Sequence, residues 1–259
     1  MGFDYDKVAG RYDSYRWGGG PFLARLVELA RECQAGHVLE VGPGTGNNTQ
    51  AFLERYPCAL TALELSSGML DVGRAKVPEA RWVQGDVQRI PLADAAVEYI
   101  FGVYVLHHLR GLLQAFQECT RILGPGGVAA FVTAPLGYIE RHPMNAYFPS
   151  FSKADLQRFQ SVDEIVESLR GAGFEQTRVE YLVAAPKPID SYYVERVANK
   201  FISSFDLIPE DEFQAGLARL QADVAAKGKL DVAIEWESVV VWGLKDNSII
   251  GRMPMSQDI

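Results

Sequence analysis

The sequence predicts an α/β fold built on a doubly wound parallel sheet. Three observations carry this. The strand-like segments of the first 135 residues are continuous apolar runs without polar alternation, the pattern of strands covered on both faces. They alternate with helical patterns through short links. The first strand also runs straight into a glycine-rich turn and then a helix, which creates a binding crevice at the strand's carboxyl end.

The elements follow in order. Pro21 suits a first helical position, and Phe22, Leu23, Leu26, Val27, Leu29 and Ala30 follow at helical spacing. His37 to Val41 reads as the first strand, ahead of the loop Gly42-Pro43-Gly44-Thr45-Gly46 and a helix from Asn47 to Tyr56. Ala59 to Leu65 is the second strand, and Ser67 to Lys76 a helix capped by Ser66 or Ser67. Arg81 to Gly85 and Val97 to Tyr104 are the third and fourth strands. A helix from Leu112 to Leu123 stops at a Gly-Pro-Gly-Gly turn, and Val128 to Thr133 is the fifth strand. Residues 136–160 read as irregular. Ser161 opens a helix with a capping box to Glu164, closed by Gly171 and Gly173. Phe174 to Val183 is a strand, helical patterns occupy Ser191–Phe205 and Glu210–Ala226, and Val232 to Leu244 reads as one long strand.

Composition sets bounds. With 259 residues, 48% of them hydrophobic and 22% charged, the chain can bury a substantial core. A net charge of −8 gives no global attraction to nucleic acid or an anionic membrane, so neither is expected as a partner. The three cysteines, Cys33, Cys58 and Cys119, form no C-x-x-C pair and read as buried free thiols. The N-terminal stretch has neither a basic nor an apolar run, and no apolar segment approaches the ~20 residues of a membrane span. A cytoplasmic location is expected.

The loop spacing is G-x-G-x-G, with Asn47 where a dinucleotide fingerprint places its third glycine, and it lacks the lysine of a P-loop. Five stretches, in order, carry a resemblance. They are Val38 to Gly46, Ala62 to Ser66, Gln84 to Val87, Val97 to Leu109 and Arg121 to Gly127. Together with Phe3 to Ala9 and Tyr12-Asp13, they resemble class I S-adenosylmethionine-dependent methyltransferases. The likeness is to the small-molecule branch (methyltransferase type 11) that includes the ubiquinone and menaquinone biosynthesis enzymes. Glu98 stands where that family often has Asp.

The resemblance implies a Rossmann-like seven-stranded sheet, mostly parallel with an antiparallel last strand, plus helical lid insertions. It implies a single methyltransferase domain over 1–259, with its core at about 21–135, 161–183 and 232–244 and the lid at about 136–160 and 186–230. It also implies S-adenosylmethionine as cofactor. That ligand has no phosphate, so the loop needs no lysine.

A ribose diol wants a carboxylate, and Glu64 lies about 20 residues past the loop, at a parallel strand's carboxyl end. Asp86 would accept from the adenine amino group, with Leu65, Met69 and Val87 around the ring and Gly42, Gly44 and Gly46 giving close backbone approach. Glu40 would help hold the ligand's amino group or pin the loop. Tyr5, Tyr12 and Arg16 would close over the cofactor, or pack on the sheet.

Methyl transfer needs orientation more than a catalytic group. Tyr104, His107 and His108 follow the fourth strand, and either histidine could deprotonate an acceptor; packing roles are the competing reading. His142 is a weaker candidate in the lid. Lid aromatics, among them Tyr138, Tyr147, Phe148, Phe151, Tyr192, Tyr193, Phe201 and Phe205, fit either an apolar or aromatic small substrate or a lid packed on itself. No metal is expected, because no Asp/Asn ligand cluster follows the fourth strand. The alternatives are a dinucleotide-dependent oxidoreductase and a non-catalytic S-adenosylmethionine-binding protein.

Overall fold

The computed structural model describes residues 19–246. In chain order the strands are β1 (His37–Val41), β2 (Ala59–Glu64), β3 (Arg81–Gln84), β4 (Val97–Val103), β5 (Leu123–Thr133), β6 (Gln176–Val183), β7 (Lys187–Asp190), β8 (Lys229–Ile234) and β9 (Glu237–Leu244). The helices are α1 (Pro21–Glu32), α2 (Asn47–Leu53), α3 (Ser67–Lys76), α4 (Leu112–Ile122), α5 (Leu136–Arg141), α6 (Phe151–Leu156), α7 (Val162–Gly171), α8 (Ser191–Ala198), α9 (Ser203–Asp206) and α10 (Glu210–Lys227).

Seven strands make one sheet in the order β3-β2-β1-β4-β5-β9-β6. The pairs β1–β2, β1–β4, β2–β3 and β4–β5 are parallel. β9 alone runs antiparallel to its neighbours β5 and β6. This is the mixed, doubly wound sheet expected from the sequence. Two apolar layers explain it. Leu26, Phe52 and Leu70 pack on one face against Tyr99 and Phe101, while Phe116, Ile165 and Leu169 cover Ile100 and Phe131 on the other. From β1 the chain winds outward to β2 and β3, then crosses back to β4 and β5. The crevice of such a sheet opens at that reversal, at the carboxyl ends of β1 and β4.

The capping box of α7 is present, with Ser161 and Glu164 bonded reciprocally. Three expectations are corrected. The run 232–244 is two strands: β8 ends at Ile234 and pairs antiparallel with β7 in a separate two-stranded sheet, and only β9 joins the large one. A β-branched run does not specify which sheet it joins, since strand preference reflects packing partners more than backbone. The segment 136–160 is not irregular but holds α5, α6 and a 3-10 turn, Pro143–Ala146. The helix expected over 191–205 ends at Ala198, where Asn199 caps it and Lys200 takes a φ of 48°.

The lid has its own core, in which Phe148, Tyr193, Phe201, Phe205 and Phe213 are buried together. Among the described residues no helix is long and apolar enough to cross a membrane.

Candidate cofactor and substrate site

β1 leads into a turn in which Gly42, Gly44 and Gly46 have φ of 65°, 58° and 83°. A Cβ on Gly42 would lie 2.4 Å from Cγ2 of Val105, so a side chain there is excluded twice, by conformation and by space. Gly46 is the left-handed cap residue of α2, and its backbone packs toward Val77 and Trp82. Gly42 and Gly44 line a cavity of about 1050 Å³ over the strand ends; Gly46 is not on its wall.

Glu64 ends β2 and is 8% exposed. Its carboxylate is oriented by two backbone amides, accepting from Gly44 N and from Ser66 N, each at 2.9 Å. It thereby ties the glycine loop to the start of α3 and stays on the cavity wall. Leu65, Met69, Asp86 and Val87 line the same region. Met69 and Val87 are buried, whereas Leu65 and Asp86 are exposed. Asp86 accepts from Gln88 N at 2.9 Å, which fixes the turn after β3. Glu40 lies beneath the loop and off the cavity wall, 1% exposed, with its carboxyl 2.6 Å from the Thr49 hydroxyl. Burial pushes its pKa up to about 8; the Thr49 bond opposes this and the nearby Glu64 charge adds to it.

At the end of β4, Tyr104 takes a φ of 51°, held by Tyr104 N donating to Val132 O at 2.8 Å. Its hydroxyl shares a 2.8 Å hydrogen bond with Ser238, and burial raises the phenol's pKa, so it stays protonated. His107 stacks on Phe159, with ring centroids 4.0 Å apart at 11°. His108 is exposed, and its ring lies 3.9 Å from that of His107. All three line the cavity. Tyr5, Tyr12 and Arg16 lie outside the described residues.

The lid supplies the far wall. Tyr138, His142, Phe151, Phe201 and Trp236 line it. Asp155 and Arg158 line it as well, joined at 2.6 Å; Asp155 also accepts from Ser204 at 2.6 Å, and Arg158 donates to Ser203 at 2.9 Å. The sequence reading missed Asp155, Arg158, Trp236 and Ser238. The i,i+3 spacing of Asp155 and Arg158 was a usable signal once 151–156 was seen as a helix. Trp236 and Ser238 were hidden in the run read as one strand.

A sheet of this order, reversed only at its last strand, with a glycine loop closing on a strand-end carboxylate, defines the class I S-adenosylmethionine-dependent methyltransferase fold. Residues 39–131 match the family described as Methyltransferase domain. The malonyl-[acyl-carrier protein] O-methyltransferase of Serratia marcescens is 31% identical over 157 residues, covering 56% of this chain and 61% of that protein. The chain thus spans about three-fifths of the length of that curated relative. Among solved structures, a methyltransferase candidate from an antibiotic biosynthesis pathway of Anabaena variabilis superposes with a TM-score of 0.65 at 22% identity, over 85% of this chain and 96% of that one. Phosphoethanolamine N-methyltransferase 2 of Haemonchus contortus, in complex with S-adenosyl-L-methionine, gives 0.60 at 14% identity, over 93% of this chain and 57% of that one.

Proposed function

We propose that this chain is an S-adenosylmethionine-dependent methyltransferase that methylates a small organic molecule by in-line displacement. The observation that carries this is the placement of Glu64: an oriented carboxylate at a parallel strand's end, bonded to the glycine loop and open to a cavity of about 1050 Å³. Ligand pockets run to roughly 300–1,000 Å³, so the space suits a cofactor with a small substrate beside it.

Glu64 would hold the ribose hydroxyls, Asp86 the adenine amino group, and Met69, Leu65 and Val87 the faces of the purine. Gly42 and Gly44 would let the backbone approach the ligand. Glu40 would act from below, steadying the loop through Thr49. Tyr5, Tyr12 and Arg16 would close the cofactor end. When bound, the cofactor supplies an electrophilic methyl group on a sulfonium sulfur. The chain's contribution is orientation and exclusion of water by the lid.

Tyr138, Phe151 and Phe201, the lid aromatics on the cavity wall, favour an apolar or aromatic substrate, whereas Phe148, Tyr193 and Phe205 pack the lid on itself. Tyr104, bonded to Ser238, would position it, and His107 or His108 would take a proton from an acceptor that carries one. The seven-stranded sheet and the lid inserted in it act as one catalytic domain.

Calorimetric titration with S-adenosylhomocysteine and with NADH tests the reading. Binding of the former and not the latter is expected; the reverse would identify an oxidoreductase. Transfer of label from methyl-labelled S-adenosylmethionine to a panel of small nucleophiles tests catalysis, and tight binding without transfer to any of them would leave only a binding protein.

A further inference from the structure

We propose that the outer edge of β6 pairs antiparallel with the same edge of a second copy of this chain, about a two-fold axis through Val179, so that two sheets join into one. No residue of β6 lines the cavity, and the pairing stands independently of the methyltransferase reading.

The seven-stranded sheet ends on β3 at one side and on β6 at the other. A free edge offers its backbone donors and acceptors to any matching strand, and folded proteins limit this by keeping edge strands short. β3 has four residues, but β6 has eight. Ala184 N donates to Trp236 O, and the register of β6 on β9 sets these two residues opposite each other. Bonded pairs alternate along an antiparallel ladder, so Arg178, Glu180 and Leu182 turn their backbone groups to β9, while Thr177, Val179, Tyr181 and Val183 turn theirs outward. Three of the outward residues also expose apolar side chains: Val179 is 36% exposed, Tyr181 63% and Val183 58%. A long edge carrying such a stripe is suited to a partner strand.

Symmetry and charge select the partner. Around a two-fold axis normal to the sheet, a residue can oppose only one that points to the same face, because side chains alternate. Two registers then pair seven of the eight residues of β6: one centred on Val179 (176–182) and one centred on Glu180 (177–183). The second sets the Glu180 carboxylate against its own mate, and like charges directly opposite are destabilising. The first sets Val179 on Val179, Tyr181 of each copy on Thr177 of the other, and Arg178 of each on Glu180 of the other. Arg178 is exposed, and the Glu180 side chain, although bonded to Arg25, is still 31% exposed. A second copy therefore complements this edge in backbone, apolar contact and charge together. One strand edge is small against the roughly 1,200–2,000 Å² of a standard interface, so the dimer is a weak one, with Kd on the order of 10–100 µM.

Sedimentation equilibrium of the full chain from about 5 to 300 µM should show a reversible monomer–dimer equilibrium in that range. Arg178→Glu places a second carboxylate opposite Glu180, and Val179→Lys places two ammonium groups at the axis. Each should weaken the dimer about tenfold or more. Circular dichroism at about 5 µM, where the chain is mostly monomeric, should give a native-like Tm for both. Oxidation reads the register. Val179→Cys should form a disulfide-linked dimer, because opposite Cα atoms about 5.5 Å apart suit the bridge. Tyr181→Cys should not, since its two copies would stand roughly 13 Å apart. The native cysteines, two buried and one half-buried, provide the uncrosslinked control. A chain still monomeric at 300 µM, a dimer indifferent to both charge variants, no crosslink through Val179→Cys, or an equal crosslink through Tyr181→Cys would overturn the pairing.

Discussion

The Thr49 hydroxyl on α2 lies 2.6 Å from the Glu40 carboxyl on β1, and both side chains are closed to water beneath the glycine loop. This bond clips the first helix after the loop to the strand before it. With its pKa raised from 4.5 to about 8, Glu40 holds a proton in the native state over a range where the unfolded chain has released it. The native state therefore binds more protons between those values, and stability falls as pH rises through them. Thermal unfolding should show Tm declining from about pH 5 to about pH 9, a loss on the order of a few kcal/mol. Glu40→Gln, which cannot ionise, should flatten that slope. An unchanged slope in the variant would mean that another group sets it.

Glu64 accepts from Gly44 and Ser66 at once. Glu64→Gln keeps the shape but replaces one acceptor oxygen with a donor. Calorimetry should show S-adenosylhomocysteine affinity lowered about tenfold, and Glu64→Ala should lower it about a hundredfold. Affinity within twofold of native in a folded Glu64→Ala protein would remove Glu64 from the binding site.

Gly42 combines a φ of 65° with a neighbour, Val105 Cγ2, only 2.4 Å from where a Cβ would stand. Urea denaturation of Gly42→Ala should show a loss of roughly 2–4 kcal/mol, part conformational and part steric. Adding Val105→Ala should recover the steric part and leave about 1–2 kcal/mol, the cost of the left-handed backbone. If the double variant were no better than the sum of the singles, the steric account would be wrong.

Asp155 joins α6 to α9 through Arg158, Ser203 and Ser204, with its side chain 7% exposed. Asp155→Ala leaves the half-buried guanidinium without its counter-charge, a change that costs about 3–5 kcal/mol at such sites. Hydrogen exchange should quicken in α6 and α9 while β1, β4 and β5 keep their protection, because the lid has a core separate from the sheet's. Uniform loss of protection would show that lid and sheet unfold as one.

The sequence by itself determined the sheet and the end of it at which the crevice opens. An apolar run such as Val128 to Val132 of β5 is buried on both faces, and a glycine turn between strand and helix opens at the strand's carboxyl end, so the place of Gly42, Gly44, Glu64, Asp86 and Val87 on the cavity wall was legible from the strand ends together with the five motifs. Tertiary structure alone decided the rest. Whether Glu40 met the cavity or the underside of the loop depended on where Thr49 arrived, and the division of 232–244 between two sheets depended on β7 as partner. The lid wall joins Tyr138 and His142 to Trp236, nearly a hundred residues apart. Periodicity records which face of an element is buried, but not which distant side chain it is buried against, and a substrate chamber consists of those distant encounters.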